Sequence, residues 1–136
     1  MSEEKENFPE QKGDFQEEVR EELGFLPPAF KIAERLGDDF KEVIEDYYDV
    51  IYTEDVIPKK YKYLMAISTG LMAEHKPKVM VDTKKALKYG ATPEEIKEVL
   101  RMTIWWCGAP TMVKIVPEVL KYLQEKAESE KSDNKD

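Results

Sequence analysis

Three features predict an all-α fold for this chain. Apolar residues recur at three- and four-residue intervals, proline and glycine sit where helices start and stop, and no stretch alternates polar and apolar residues as a strand would. The clearest boundary is Gly90 followed by Thr92-Pro93-Glu94-Glu95. Glycine suits the left-handed position just past a helix end. Threonine can cap the next helix, proline fits its first turn, and Glu95 stands three residues after the cap.

The elements follow in order. Residues 1–13 are polar and are expected to form a flexible arm. Asp14 is a candidate cap for a short helix carrying Phe15, Val19 and Leu23, which ends at Gly24. Gly24-Phe25-Leu26-Pro27-Pro28 should be extended, because a residue before proline avoids the helical region. Pro28 then opens a helix that ends at Gly37. Asp38 or Asp39 opens another, with Phe40, Val43, Ile44, Tyr47, Tyr48 and Ile51 on one face.

After a break at residues 53–58, a helix over residues 59–73 places Leu64, Ile67, Ser68 and Leu71 together and should be the most buried. Pro77 suits the first turn of a helix reaching Tyr89. From Pro93, residues Ile96, Val99, Leu100, Thr103 and Cys107 share a face, while Met102, Trp105 and Trp106 widen it. A helix apolar on more than one side is buried on more than one side, which in a chain this small points to a subunit interface. The last helix, over residues 111–127, carries Met112, Ile115, Val116, Val119, Leu120 and Leu123, and Pro117 should kink it. Residues 128–136 hold no apolar side chain and are expected to be a disordered tail, leaving 14–127 as one helical domain.

Composition narrows the function classes. A chain of 136 residues with 41% hydrophobic and 37% charged residues is long enough for a real core. A net charge of −8 argues against binding nucleic acid by bulk charge. No apolar run is long enough to span a bilayer, and the acidic start is unlike a signal peptide. One cysteine forms no internal disulfide, so a cytoplasmic location is expected. With one histidine and no cysteine pair, a metal site is not expected, and no cofactor is implied.

Taken together, GFLPPAF near residue 24, Lys62-Tyr63-Leu64-Met65-Ala66, the run from Ala86 to Ile96 and Trp106-Cys107-Gly108-Ala109-Pro110 resemble the carboxymuconolactone decarboxylase family, which includes the alkylhydroperoxidase D-like proteins. The resemblance runs from about Gly24 to Leu123. It implies an alkylhydroperoxidase D-like helical bundle, assembled as a homo-oligomer, a trimer or hexamer, with its site between helices near a subunit interface. It also implies peroxide-reducing (antioxidant, peroxiredoxin-type oxidoreductase) or lactone-decarboxylating chemistry. Peroxide-reducing members use a Cys-x-x-Cys pair at a helix start, a histidine four residues beyond it and a glutamate on the preceding helix. By spacing these positions fall on His75, Lys78, Asp82 and Tyr63, so every expected catalytic residue is replaced. The two-thiol reaction has no thiols here, and the histidine that decarboxylating members rely on is missing from its place.

The replacements are nonetheless ionisable, and His75, Lys78 and Asp82 stand at i, i+3 and i+7 on one helix face. One reading makes them a proton-transfer site. The other makes Lys78 and Asp82 a structural ion pair with His75 near the cap. The enzyme reading requires the three to line one solvent-reachable pocket. Cys107 reads either as a single-cysteine peroxide or thiol site or as a small core residue. Trp105 and Trp106 read either as the wall of a ligand pocket or as a subunit contact. Two functions therefore stand: a family-type enzyme, or a non-catalytic oligomer that binds a small molecule or serves as a scaffold.

Overall fold

The computed structural model describes residues 15–53 and 56–134. The arm at residues 1–13, the Asp14 cap and the end of the tail lie outside them. Among the described residues there are eight helices and no strand. They are α1 (15–23), α2 (Pro28–Leu36), α3 (Asp38–Tyr52), α4 (Lys59–Met72), α5 (Lys76–Lys88), α6 (Pro93–Cys107), α7 (Ala109–Lys114) and α8 (Val116–Asn134). The described residues divide into two compact units, 15–53 and 56–134.

In the first unit, α2 packs on α3. Gly24 ends α1 with φ 83°, its N–H bonded to the Arg20 carbonyl at 2.8 Å, as the sequence predicts. Phe15, Phe30 and Tyr48 meet edge to face, with centroids 5.0–6.3 Å apart. Gln16 Nε2 donates to Glu45 Oε1 at 2.6 Å, tying α1 to α3. The apolar face predicted for α3 is largely uncovered, with Phe40, Val43, Tyr47 and Ile51 exposed. The buried residue of α3 is instead Glu45, whose Oε2 has no hydrogen-bond partner.

In the second unit, α4 packs on both α5 and α6 and buries Tyr63, Ile67 and Leu71 almost completely. That agrees with the central helix read from the sequence. Glu74 takes a left-handed turn at φ 53°, and the His75 N–H reaches back to the Gly70 carbonyl at 3.0 Å. This closes α4 in a tight turn and sends α5 back along it. The turn before α6 is as predicted. Gly90 has φ 94°, Thr92 Oγ1 accepts from the Glu95 N–H at 3.0 Å, and Glu95 Oε1 accepts from the Thr92 N–H at 2.9 Å.

The predicted last helix is two helices. Pro117 cannot donate to the carbonyl four residues back, and its ring crowds that turn. The chain therefore breaks at Ile115, φ −118°, and α8 restarts with Pro117 in its first turn, where the missing N–H costs nothing. Ile115, Val116, Val119 and Leu123 are buried as expected, whereas Met112 and Leu120 are exposed. Residues 128–134, for which the composition predicts no order, continue α8 with side chains in solvent up to Asp133.

Candidate functional site

The start of α5 holds the ionisable residues singled out by the sequence. His75 is the N-cap, and its Nδ1 accepts from the Lys78 N–H at 3.2 Å. That bond satisfies one of the orphan donors of the first turn. His75 is otherwise exposed. Lys78 Nζ lies 2.7 Å from Asp82 Oδ2, 2.8 Å from the Ala66 carbonyl and 3.2 Å from Thr69 Oγ1. An ammonium group has three hydrogens and no lone pair, so these three acceptors use it completely. Two of them belong to α4, which makes Lys78 a strut between α4 and α5. The strut needs the helices close together, and Gly70 permits it. A Cβ at that position would lie 3.1 Å from Val79 Cγ2 and 3.3 Å from Lys78 Cγ and Cδ.

Asp82 is buried beneath this strut. Farther along the same face is Lys85, also buried, which the sequence reading passed over. Its ammonium sits 5.4 Å from the centroid of the Tyr63 ring, and Tyr63 stacks on Tyr89 at 5.4 Å and 19°. Lys59 covers the Tyr89 ring at 5.0 Å. Burial holds the Lys85 amine below the usual lysine range; Asp82 opposes this and Lys78 adds to it. The overlooked signal was spacing, since Lys85 follows Lys78 by seven residues and Asp82 by three.

A second feature lies between α4 and α6, a groove of about 410 Å³. Its walls carry two aromatics (Tyr61, Trp106), two methionines (Met65, Met102), two aliphatics (Leu64, Val99) and the hydroxyls of Ser68, Thr69 and Thr103. The hydroxyl protons are spent within the protein. Thr69 donates to the Ala66 carbonyl at 2.9 Å. Thr103 Oγ1 lies 2.7 Å from the Val99 carbonyl and 2.9 Å from Ser68 Oγ. With one proton on each hydroxyl, Thr103 donates to Val99 and Ser68 donates to Thr103. Thr69 thus stands at the groove wall and also accepts from the Lys78 strut.

The sequence-derived candidates separate accordingly. Lys78 and Asp82 come together, His75 caps their helix, and Tyr63 is buried in the aromatic stack. None of the four lines the groove, whereas Trp106 does. Trp105 is 86% exposed and lies outside the lining, and Cys107, half-buried at the end of α6, lies outside it too. Among the described residues no group of His, Cys, Asp and Glu is placed to hold a metal ion. No described helix is long and apolar enough to cross a membrane.

A tight α4–α5 turn, a capped α6 packed on α4 and a helix face at the start of α5 define an all-helical fold of a known kind. The model of the carboxymuconolactone decarboxylase family matches residues 38–121, and the chain belongs to that family. A crystal structure of a provisionally named carboxymuconolactone decarboxylase from Burkholderia xenovorans LB400 superimposes with a TM-score of 0.76. That likeness covers 90% of this chain and 98% of the other at 15% identity, and so speaks to the fold alone. Uncharacterised protein MJ1511 of Methanocaldococcus jannaschii is 22% identical over 98 residues, 71% of this chain and 92% of that one.

Proposed function

We propose that this chain is a non-catalytic member of its family, a cytoplasmic homo-oligomer that binds a small molecule in the α4–α6 groove. One observation carries the reading. At the helix start where relatives by resemblance keep their reacting groups, the Lys78 ammonium is fully engaged by Asp82, Ala66 and Thr69. No hydrogen on it remains for a substrate. His75 spends its Nδ1 on the helix cap. Assembly is supported by the exposure of Trp105 and Val113 on α6 and α7, outside the groove lining, since a lone chain rarely leaves large apolar patches in water.

The enzyme reading, peroxide-reducing or lactone-decarboxylating, retains one favourable observation. Lys78 is 41% exposed while bonded to the buried Asp82, so the pair has a route for protons to solvent. Peroxide consumption with a dithiol reductant separates the peroxide-reducing form of that reading from the proposal. The expected result is no turnover above the protein-free rate for the natural chain, Cys107→Ser or His75→Ala. Turnover that disappears in Cys107→Ser would identify a one-cysteine peroxidase and overturn the proposal. Light scattering should give a mass three or six times the 15.9 kDa of one chain.

A further inference from the structure

We infer that the α4–α6 groove is selective for an uncharged aromatic molecule. This rests on the reading of the groove as the binding surface, and it goes further by naming the ligand's chemistry. Four features of the groove lead to it.

The first is charge. More than a third of the chain is charged, at 37%, yet no Asp, Glu, Lys or Arg stands among the groove's lining residues. The nearest cation at the wall, the Lys60 ammonium 5.0 Å from the Tyr61 ring centroid, is already paired with Glu95 at 3.1 Å, so a carboxylate bound there would lose its water and gain no unpaired counter-ion. The second is hydrogen bonding. Ser68, Thr69 and Thr103 have spent their protons on protein acceptors, so they offer no donor to an anion or a carbonyl. The Trp106 indole N–H and the Tyr61 hydroxyl are the lining groups left to supply a proton to a weak acceptor. The third is the character of the walls. Two aromatic rings and two thioethers favour a flat π-system over an aliphatic chain, through ring stacking and sulfur–ring contacts. The fourth is size. About 410 Å³ lies in the range of small-molecule sites, roughly 300–1,000 Å³. The most exposed apolar side chain nearby, Trp105, lies outside the lining, so the surface offered to a second copy and the surface offered to a ligand are separable by mutation.

Two fluorescent probes of nearly the same shape test this on the full chain. N-phenyl-1-naphthylamine is neutral, and 8-anilino-1-naphthalenesulfonate carries one sulfonate. The neutral probe is expected to bind saturably at one site per chain and to quench tryptophan emission. The sulfonate should bind about tenfold more weakly or worse, a gap of about 1.4 kcal/mol. The gap should persist at high salt, where repulsion from the net charge of −8 is screened.

Met102→Glu places a charge in the wall at a 52% exposed position that tolerates it for folding, and should abolish neutral-probe binding with an unchanged circular dichroism spectrum. Trp105→Glu should lower the oligomer mass and leave probe binding intact, with Trp106 then the sole tryptophan reporting it. Equal binding of both probes, lost in Met102→Glu, would overturn the selectivity but keep the groove as the binding surface. Undiminished binding in Met102→Glu, or no saturable binding by the natural chain, would overturn the groove itself. Peroxide turnover on the same preparations tests the peroxide-reducing reading independently.

Discussion

The start of α5 and the α4–α6 groove stand on two sides of the same helix, and they have opposite chemistry. At the α5 start the polar groups are abundant, and the Lys78 ammonium is fully committed. Lys78 has three acceptors, His75 caps the helix, and Asp82 is buried under the lysine. In the groove polar groups are few, and the apolar surface of Met65, Met102 and Trp106 is uncommitted and half in solvent. The contrast teaches that ionisable residues mark a working site only when they have valences to spare. Counting donors and acceptors separates a strut from a site where sequence position does not.

The contrast should break most visibly at Gly70. Gly70→Val forces atoms into the gap occupied by Val79 and the stem of Lys78. The expected loss is about 2–3 kcal/mol in urea unfolding, from overpacking. Neutral-probe binding by the folded fraction should persist, because the groove lies toward α6. If Gly70→Val leaves stability unchanged, the close approach of α4 and α5 is not what seats the strut.

Thr92→Ala, remote from both regions, sets the scale of an ordinary local contact. It should cost about 1 kcal/mol through loss of the cap. The same turn gives a signed pH dependence. The Thr92 N–H and the Lys60 ammonium hold the Glu95 carboxyl below its usual range. Its contribution is therefore present above the unfolded carboxylate range and is lost as pH falls through the lower folded value. Glu95→Gln should flatten that acid limb, measured as melting temperature against pH.

The smallest effect should be at the alkaline end. Burial lowers the Lys85 amine relative to the unfolded chain, so the unfolded state binds more protons between the two values. Stability should rise slightly with pH from the lowered folded value up to the ordinary lysine range, and Lys85→Met should remove the rise. An identical alkaline limb in the variant would show that Lys85 is as well solvated folded as unfolded.

These regions also differ in how readable they were. Gly24, Pro28, Gly37, Gly90 and the Thr92–Glu95 box mark helix ends from sequence because each acts within one turn of chain. The Lys78–Asp82 pair was visible as i, i+4 spacing. Its completion was not, since the Ala66 carbonyl and Thr69 reach Lys78 from the previous helix. The same is true of buried Lys85 and Glu45, whose surroundings are built by other helices. Pro117 predicts a kink, whereas the chain breaks at Ile115 and a new helix starts at Val116, which places the proline in a first turn. The groove was invisible because its lining residues, read along one helix at a time, look like ordinary core. Trp106 alone among the predicted candidates belongs to it.

The most direct test is a double-mutant cycle at the strut: Lys78→Met, Asp82→Asn and the pair, each measured by equilibrium unfolding. The strut account predicts a coupling energy of about 1–3 kcal/mol, held below that of a fully buried pair because Lys78 is partly in water. It also predicts neutral-probe binding unchanged in all three. A coupling near zero, with probe binding or turnover lost in the single variants, would contradict it and return the start of α5 to the role of a working site.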